Sequence, residues 1–433
     1  MTVTRAAIVG TGHRAQLFTE GLARRDHFAV AAFCDPNPVR MAHHNKLLAE
    51  AGRAEASTYR PDHFEEMLRK EDIEEVVVTT VDALHDAYIV PALRAGCRVV
   101  TEKPMTTDAQ RCGRILDTVA QTGSPLAVAF NYRFNPVHEL VRRELAAGSI
   151  GDVLSVHFEW LLDVRHGADY FRRWHREKDK SGGLMVHKAG HHFDLVNWWL
   201  GARPRRVYAA GRLGFYGREN GDRHGRRVDY DRAYGSPAAA ADPFALHLDE
   251  NEGLRALYLD AEGEDGYHRD RNVFGDGITI EDDMAVLVQY DTGASMSYHL
   301  TAYSPWEGYR VMFNGTGGRL ELEVEESQWQ QPRARLTSAK GAVHGDTALD
   351  NAGGARILLR PLWEPPRPVE IPEFDHAGHG GGDARMLRAL YDGEPGPAAT
   401  AVDGALALSV GLGANTSFET GEAVDTAELV RIP

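Results

Sequence analysis

Residues 5–15 read RAAIVGTGHRA. A short apolar strand runs into Gly10-Thr11-Gly12-His13-Arg14-Ala15, a G-x-G-x-x-A turn before a helix-patterned stretch. Each small residue has a physical task in a dinucleotide site. Gly10 permits the tight turn, Gly12 lets the backbone approach a pyrophosphate, and Ala15 lets the helix pack close to the strand. The helix start then offers unpaired N–H groups to the phosphates. A bland glycine turn would share this local pattern, so the flanking chain decides.

Outward from that turn, strand and helix patterns alternate to about residue 125. AVAAFCD (29–35) is a strand and PNPVRMAHHNKLLAEAG (36–52) a helix. EEVVVTT (74–80) and CRVVTEKP (97–104) are strands, each followed by a helical stretch. This order predicts βαβ units on a parallel sheet. Asp35 closes the second strand, where a carboxylate accepts from ribose hydroxyls and repels a 2′-phosphate. Pro36-Asn37-Pro38 brings no basic residue behind it, so NAD is expected over NADP. Asp35 as a helix N-cap is the competing reading.

After about residue 127 the pattern changes. VLSVHFEWLLDV (153–164), MAVLVQYDTGASMSYHLTAY (284–303) and YRVMFNGTGGRLELEVEE (309–326) alternate with period two and carry polar turns. They predict a mainly antiparallel sheet with one buried face. The fold class expected is therefore an α/β Rossmann domain, residues 1–127, followed by an α+β domain, residues 128–433, with a large open sheet. Insertions fall near 165–180 and 212–277, and the C-terminal tail is expected to pack back. The inserts read either as solvated excursions or as a lid or oligomer contact.

The 433 residues carry a formal charge of −15 and are 43% hydrophobic and 26% charged. Such a chain buries a core and repels polyphosphate, so nucleic acid is not an expected partner. Cys34, Cys97 and Cys112 form no C-x-x-C pair. The start shows no secretory signal and no apolar run reaches membrane-spanning length, so a cytoplasmic protein without membrane partners is expected.

Lys103 follows a strand in Thr101-Glu102-Lys103-Pro104, at the end of a parallel sheet where ligands bind. With this block the sequence resembles the Gfo/Idh/MocA oxidoreductase family. The likeness rests on AIVGTGHRA, VTT…H…AGCRVVTEKP, NYRFNP (131–136), the GG…H…H…D segment at 182–194 and SFETGEAVD (417–425). It implies hydride transfer between NAD and a sugar or cyclitol carbon, a small-molecule carbohydrate substrate and a homo-oligomer. It also implies a cofactor site drawn from Gly10, Gly12, His13, Arg14, Asp35, Thr80, His85, Glu102 and Lys103. Tyr132 and Arg133 of NYRFNP are substrate candidates. A glycine-rich tract, HAGHGGGDARML (376–387), fits larger members; no phosphate is assigned to it.

SGGLMVHKAGHHFDLVNWWLG (181–201) concentrates titratable groups. Read as one helix, it sets His187 and His191 on a shared face. H-x-x-x-H suits zinc, but the metalloprotease Glu is lacking and His192 lies around the helix, so no metal is expected. Laid on the family pattern, His191 matches the family histidine and Asp194 the closing acid. Lys103 and His191 carry over as catalytic candidates. His187 is a catalytic candidate by position alone, and Lys188 and His192 are substrate-binding candidates on the same basis. This excess of proton-handling groups matches relatives that cleave glycosides with catalytic NAD: carbon 3 is oxidised, elimination and hydration follow, and the ketone is reduced again. Net sugar dehydrogenation is the alternative; a non-catalytic NAD sensor is the third reading. Arg165, Arg172 and Trp174 are further substrate candidates, in an insert that also holds Arg173 and Arg176. Guanidinium forks there point to an anionic sugar, a uronate or sulfoquinovose.

Overall fold

The computed structural model describes residues 3–330, 353–373 and 380–432. Six parallel strands, β1 (Thr4–Val9), β2 (Phe28–Cys34), β3 (Ser57–Tyr59), β4 (Glu75–Val78), β5 (Arg98–Thr101) and β6 (Leu126–Val128), form the first sheet in the order β6-β5-β4-β1-β2-β3. Helices separate them, and β4 is buried along its whole length. The order reverses direction between β1 and β4, which opens a crevice at their carboxyl ends. The Gly10–Ala15 turn lies at that crevice.

The second sheet is built from β7 (Val153–Asp163), β8 (Pro204–Arg212), β9 (Asp283–Tyr290), β10 (Ser295–Ser304), β11 (Glu307–Gly315), β12 (Gly318–Ser327), β13 (Ala355–Pro361) and β14 (Arg367–Val369). Its order is β14-β13-β12-β11-β7-β10-β9-β8. All neighbours are antiparallel except β7 and β10. β9 alternates buried and exposed residues, as a sheet with one covered face must. The helix Ala401–Thr420 covers β8 and packs on the helix Gly190–Leu200.

The chain ends return to both sheets. β15 (Ala399–Thr400) pairs antiparallel with β6, and β16 (Val424–Asp425) with β8. In the helix Gly382–Tyr391, Met386, Leu387 and Tyr391 join the core of Ala6, Ile8 and Phe18. The glycine tract makes this possible: a Cβ on Gly382 would stand 2.5 Å from Asn131 O. Residues 376–379 of that tract lie outside the described residues.

The two inserts pack on each other instead of forming solvated excursions. Phe171 stacks on Tyr216 at 4.1 Å across the two, and within the second Phe244 meets Phe274 at 5.1 Å. Arg176 is fully buried and donates to Asn272 O (3.3 Å) and Asp276 O (2.7 Å). Among the described residues, no helix is long and apolar enough to cross a membrane.

Candidate active site

The Gly10 turn is shaped for close backbone approach. Gly10 has φ +84, and a Cβ on it would meet Thr80 Cα at 2.7 Å. The side of Gly12 where a Cβ would stand is open, the cradle a dinucleotide needs. Asp35 is buried and accepts from Thr11 N–H (2.6 Å) and Asn37 N–H (2.8 Å). A carboxylate has about four acceptor positions, so capacity for ribose hydroxyls remains. The helix Pro38–Glu50 is capped by Asn37, whose Oδ1 accepts from Val39 and Arg40 N–H. Asp35 is therefore not the cap. Arg40, three residues past Asn37, is tied to Asp265 at 2.7 Å and to Leu257 O at 3.1 Å. These residues fit NAD.

Other expected cofactor residues support the loop from behind. Arg14 pairs with Glu102 (2.5 Å) and Asp383 (3.3 Å). Asp383 also accepts from Asn131 Nδ2 at 2.7 Å, which ties the helix Gly382–Tyr391 to the site. His85 is fully buried, with Nδ1 2.8 Å from Pro104 O and Nε2 3.3 Å from Thr80 O. Its ring bridges the Thr80 and Pro104 backbone segments. His13 is pulled down to about 4, first by burial and then by Arg269, Arg173 and Arg14.

Catalytic candidates meet where the domains join. The 181–201 segment is not one helix. Gly183–His187 and Gly190–Leu200 are separate, because Ala189 N–H reaches back five residues to Leu184 O (2.8 Å) while His191 N–H bonds Lys188 O (3.3 Å). This slip turns His187 and His191 onto different faces. His187 faces the first domain: Nδ1 is 2.5 Å from Asp82 Oδ2 and Nε2 is 3.3 Å from Lys103 Nζ. Lys103 Nζ also donates to His187 O at 3.1 Å. With Lys103 donating to Nε2, the Nδ1 proton points at Asp82. Burial and then Lys103 hold His187 well below its ordinary range, so its ring is neutral and accepts. Lys103 is drawn down to about 8, chiefly by burial, although Asp82 and Glu102 oppose this.

No sequence signal points to Asp82, and His175 stands in the sequence only as one of the polar residues of the 165–180 insert. Ligand atoms of Asp82, His175 and His187 lie within 4.8 Å of one another, close enough to share a cation. Lys103 borders this cluster, and the positive charge of Arg173 acts on all three members. That charge disfavours a second cation, and we read the trio as proton-handling groups.

A second carboxylate–histidine chain stands beside the first. His166 bonds Glu307 Oε1 through Nδ1 (2.7 Å) and Tyr170 OH through Nε2 (3.2 Å). The Tyr170 ring lies 5.7 Å from that of His187. Burial raises the Tyr170 hydroxyl, so it stays protonated. Nothing in the local sequence pairs 166 with 307; β7 and β11 are adjacent in the sheet and bring them together.

On the sheet side, Lys188 Nζ sits 4.6 Å over the Trp160 ring and 3.3 Å from Tyr132 OH. Burial pulls its ammonium down, and Glu307 and Glu326 oppose this. His191 stacks on Tyr132 at 4.5 Å. Trp174 is half-buried and stacks on His175 at 3.5 Å. Arg165 is half-buried in the same helix as His166 and Tyr170.

Three expected substrate residues serve the framework instead. His192 is fully buried, bonded to Tyr298 OH (2.6 Å) and stacked on Trp160 (4.1 Å), because the second helix begins at Gly190 and rolls it onto the sheet. Arg133 is buried and grips Asp194 at 2.8 and 2.6 Å and Asp403 at 2.9 Å. Arg172 is buried, with Nε on Phe244 O at 3.0 Å. A charge-rich stretch reads as a ligand patch, whereas here two of its guanidiniums, Arg172 and Arg176, satisfy insert carbonyls.

Comparison with known proteins agrees with this construction. Residues 4–130 match the model of an oxidoreductase family NAD-binding Rossmann fold, and residues 142–426 match its C-terminal alpha/beta domain. The chain is 34% identical over 382 residues to YteT of Bacillus subtilis, an oxidoreductase by name, covering 85% of this chain and 83% of that protein. It is 23% identical over 409 residues to a glycosyl hydrolase family 109 protein of Shewanella amazonensis, covering 91% and 78%. The crystal structure of aldose-aldose oxidoreductase from Caulobacter crescentus, complexed with glycerol, superposes with a TM-score of 0.63 at 16% identity, covering 98% of this chain and 99% of that one.

Proposed function

Because the chain belongs to the Gfo/Idh/MocA oxidoreductase family, whose first domain binds NAD, we propose that it cleaves a glycoside by a redox-neutral route. The observation that carries the proposal is the pair of carboxylate–histidine chains, Asp82–His187–Lys103 and Glu307–His166–Tyr170, set against each other. Oxidising an alcohol needs one proton path. Breaking a glycosidic bond by elimination needs a second base and a proton donor.

NAD, which the Gly10 loop and Asp35 would hold, would supply the hydride acceptor and donor for ring carbon 3. Lys103, at about 8, is neutral in a useful fraction of molecules near neutral pH and takes the carbon-3 hydroxyl proton. His187 and Asp82 hold it in place and relay charge. His191, on its Tyr132 platform, holds the carbon-3 oxygen. The new carbonyl acidifies the hydrogen on carbon 2. Lys188, held down by burial, removes that proton, the carbon-1–oxygen bond breaks, and Tyr170 protonates the leaving oxygen. His166 and Glu307 restore the Tyr170 proton. Water then adds across carbons 1 and 2 with its proton traffic reversed, and the ketone is reduced. The balance is glycoside plus water to sugar plus alcohol, with NAD unchanged.

Trp174 offers a ring face to the sugar, and Arg165 is the group proposed for an acidic substituent such as a uronate carboxylate. The relative named a glycosyl hydrolase supports cleavage. Net oxidation of a sugar or cyclitol would use only the first chain; an inositol 2-dehydrogenase of Rhizobium meliloti matches 138 residues at 34% identity. Incubation with NAD and a panel of aryl glycosides decides between them. Aglycone release without NADH accumulation supports the proposal. Stoichiometric NADH without aglycone release overturns it.

A further inference from the structure

The 212–277 insert reaches the rim of the cofactor crevice. Tyr258 OH accepts from His13 N–H at 3.3 Å. Asn37 Nδ2 donates to Ala261 O (2.9 Å) and Asp265 (3.1 Å), and Arg40 binds Leu257 O and Asp265. Asn37 has no exposure and Arg40 only 9%. The insert therefore covers the turn that follows Asp35 and stands over the glycine loop.

It also delivers charge. Asp169 is fully buried, and three guanidiniums face its one carboxylate: Arg269 at 2.7 Å, Arg173 at 3.0 Å and Arg172 at 3.8 Å. One negative charge against three positive leaves a surplus of two in a desolvated place. Uncompensated buried charge is unfavourable unless a counter-ion arrives. Arg269 is 97% buried on its 3% exposure, and its Nε and Nη1 have no hydrogen-bond partner among the described residues. Its guanidinium lies 5.5 Å from the centroid of the same Tyr258 whose hydroxyl meets the His13 N–H. That N–H belongs to the turn where a dinucleotide pyrophosphate docks. The two phosphoryl charges of NAD equal the surplus in number and oppose it in sign.

We infer that the insert is the outer wall of the cofactor site. Arg269, with Arg173, neutralises the pyrophosphate, while the Tyr258–Asp265 segment, latched to Asn37 and Arg40, keeps NAD bound from one turnover to the next. The inference rests on NAD binding and not on the redox-neutral reading, although a retained cofactor suits an enzyme that restores its own NAD.

The test measures nucleotide, not activity. Protein purified with NAD is passed through gel filtration, and bound nucleotide is released by acid and counted. A chase with isotope-labelled NAD then gives the exchange rate. The wild type is expected to keep close to one NAD per chain and to exchange it at least 100-fold more slowly than Asp265→Ala, which unlatches the rim. Arg269→Met is expected to weaken NAD binding at least 10-fold, with a dependence on salt reduced relative to the wild type. Unfolding midpoints identify variants that have merely lost the fold, and Tyr258→Phe, which removes only the hydroxyl, serves as a mild second variant with faster exchange. Wild-type NAD that exchanges within seconds, or folded Arg269→Met and Asp265→Ala proteins with wild-type affinity and exchange, overturns the inference. Aglycone release without NADH is scored separately, so the inference and the cleavage proposal fail by different readouts.

Discussion

Replacing Lys103 with Met should remove activity and raise stability at the same time. The side chain is held at about 8 against an ordinary 10.5, chiefly because it is buried. Each pH unit of such a difference corresponds to about 1.4 kcal/mol, so keeping the ammonium charged in the fold costs about 3 kcal/mol. A lowered lysine is penalised in full below pH 8. The penalty shrinks between pH 8 and 10.5 and disappears above that, where the unfolded chain is also neutral. Met fills similar volume without the charge. It leaves His187 O and Nε2 without their donor, which returns about 1–2 kcal/mol. The variant should therefore be more stable at pH 7 by about 1–2 kcal/mol, an advantage that vanishes near pH 10. Urea unfolding of the NAD-free protein at a series of pH values measures this. In parallel, kcat/KM of the wild type should rise with pH to a plateau above about 8. Lys103→Met should lower it by about 10²–10⁴, the usual reach of a general base. A variant less stable than wild type at pH 7, or one active within a few-fold, refutes the reasoning.

Asp35→Ala should weaken NAD at least tenfold in a calorimetric titration, since it removes the carboxylate that orders Thr11 and Asn37 beside the ribose position; unchanged affinity refutes the ribose contact. Tyr170→Phe should slow aglycone release about 100-fold while leaving NAD reduction on first mixing intact, read by stopped-flow absorbance; equal loss of both steps would assign Tyr170 elsewhere. Arg133→Met strands Asp194 in the core and should cost about 3–5 kcal/mol in urea unfolding; a loss below 1 kcal/mol contradicts the buried pair.

Local chemistry was legible in the chain. The Gly10 turn and Asp35 depend on a few neighbouring residues and on the ends of parallel strands, so pattern reaches them; Lys103 by itself reads as a solvated loop lysine, and it is the family resemblance that singles it out. The 181–201 stretch misled because helical spacing assumes an unbroken ladder, and the slip at Ala189 separates His187 from His191. His192 then goes to the aromatic core and Lys188 to the Trp160 ring. Partners such as Asp82 and Glu307 come from distant chain, joined to 187 and 166 only by packing of the domains and by the sheet, and no periodicity announces them. Arginines 172 and 176 looked like a ligand patch because charge runs show composition, not which guanidiniums meet backbone carbonyls. A lid is among the sequence readings of the 212–277 insert, but the contacts of Tyr258 and Arg269 have no motif around them that would choose it over a solvated excursion or an oligomer contact.

The carbon-2 hydrogen is the most direct witness to the central claim. Cleavage run in deuterated water, with the released sugar examined by NMR, should show deuterium at carbon 2 in each product molecule while NADH stays at trace level. Cleavage that leaves the carbon-2 hydrogen wholly unexchanged would contradict elimination, and with it the redox-neutral route.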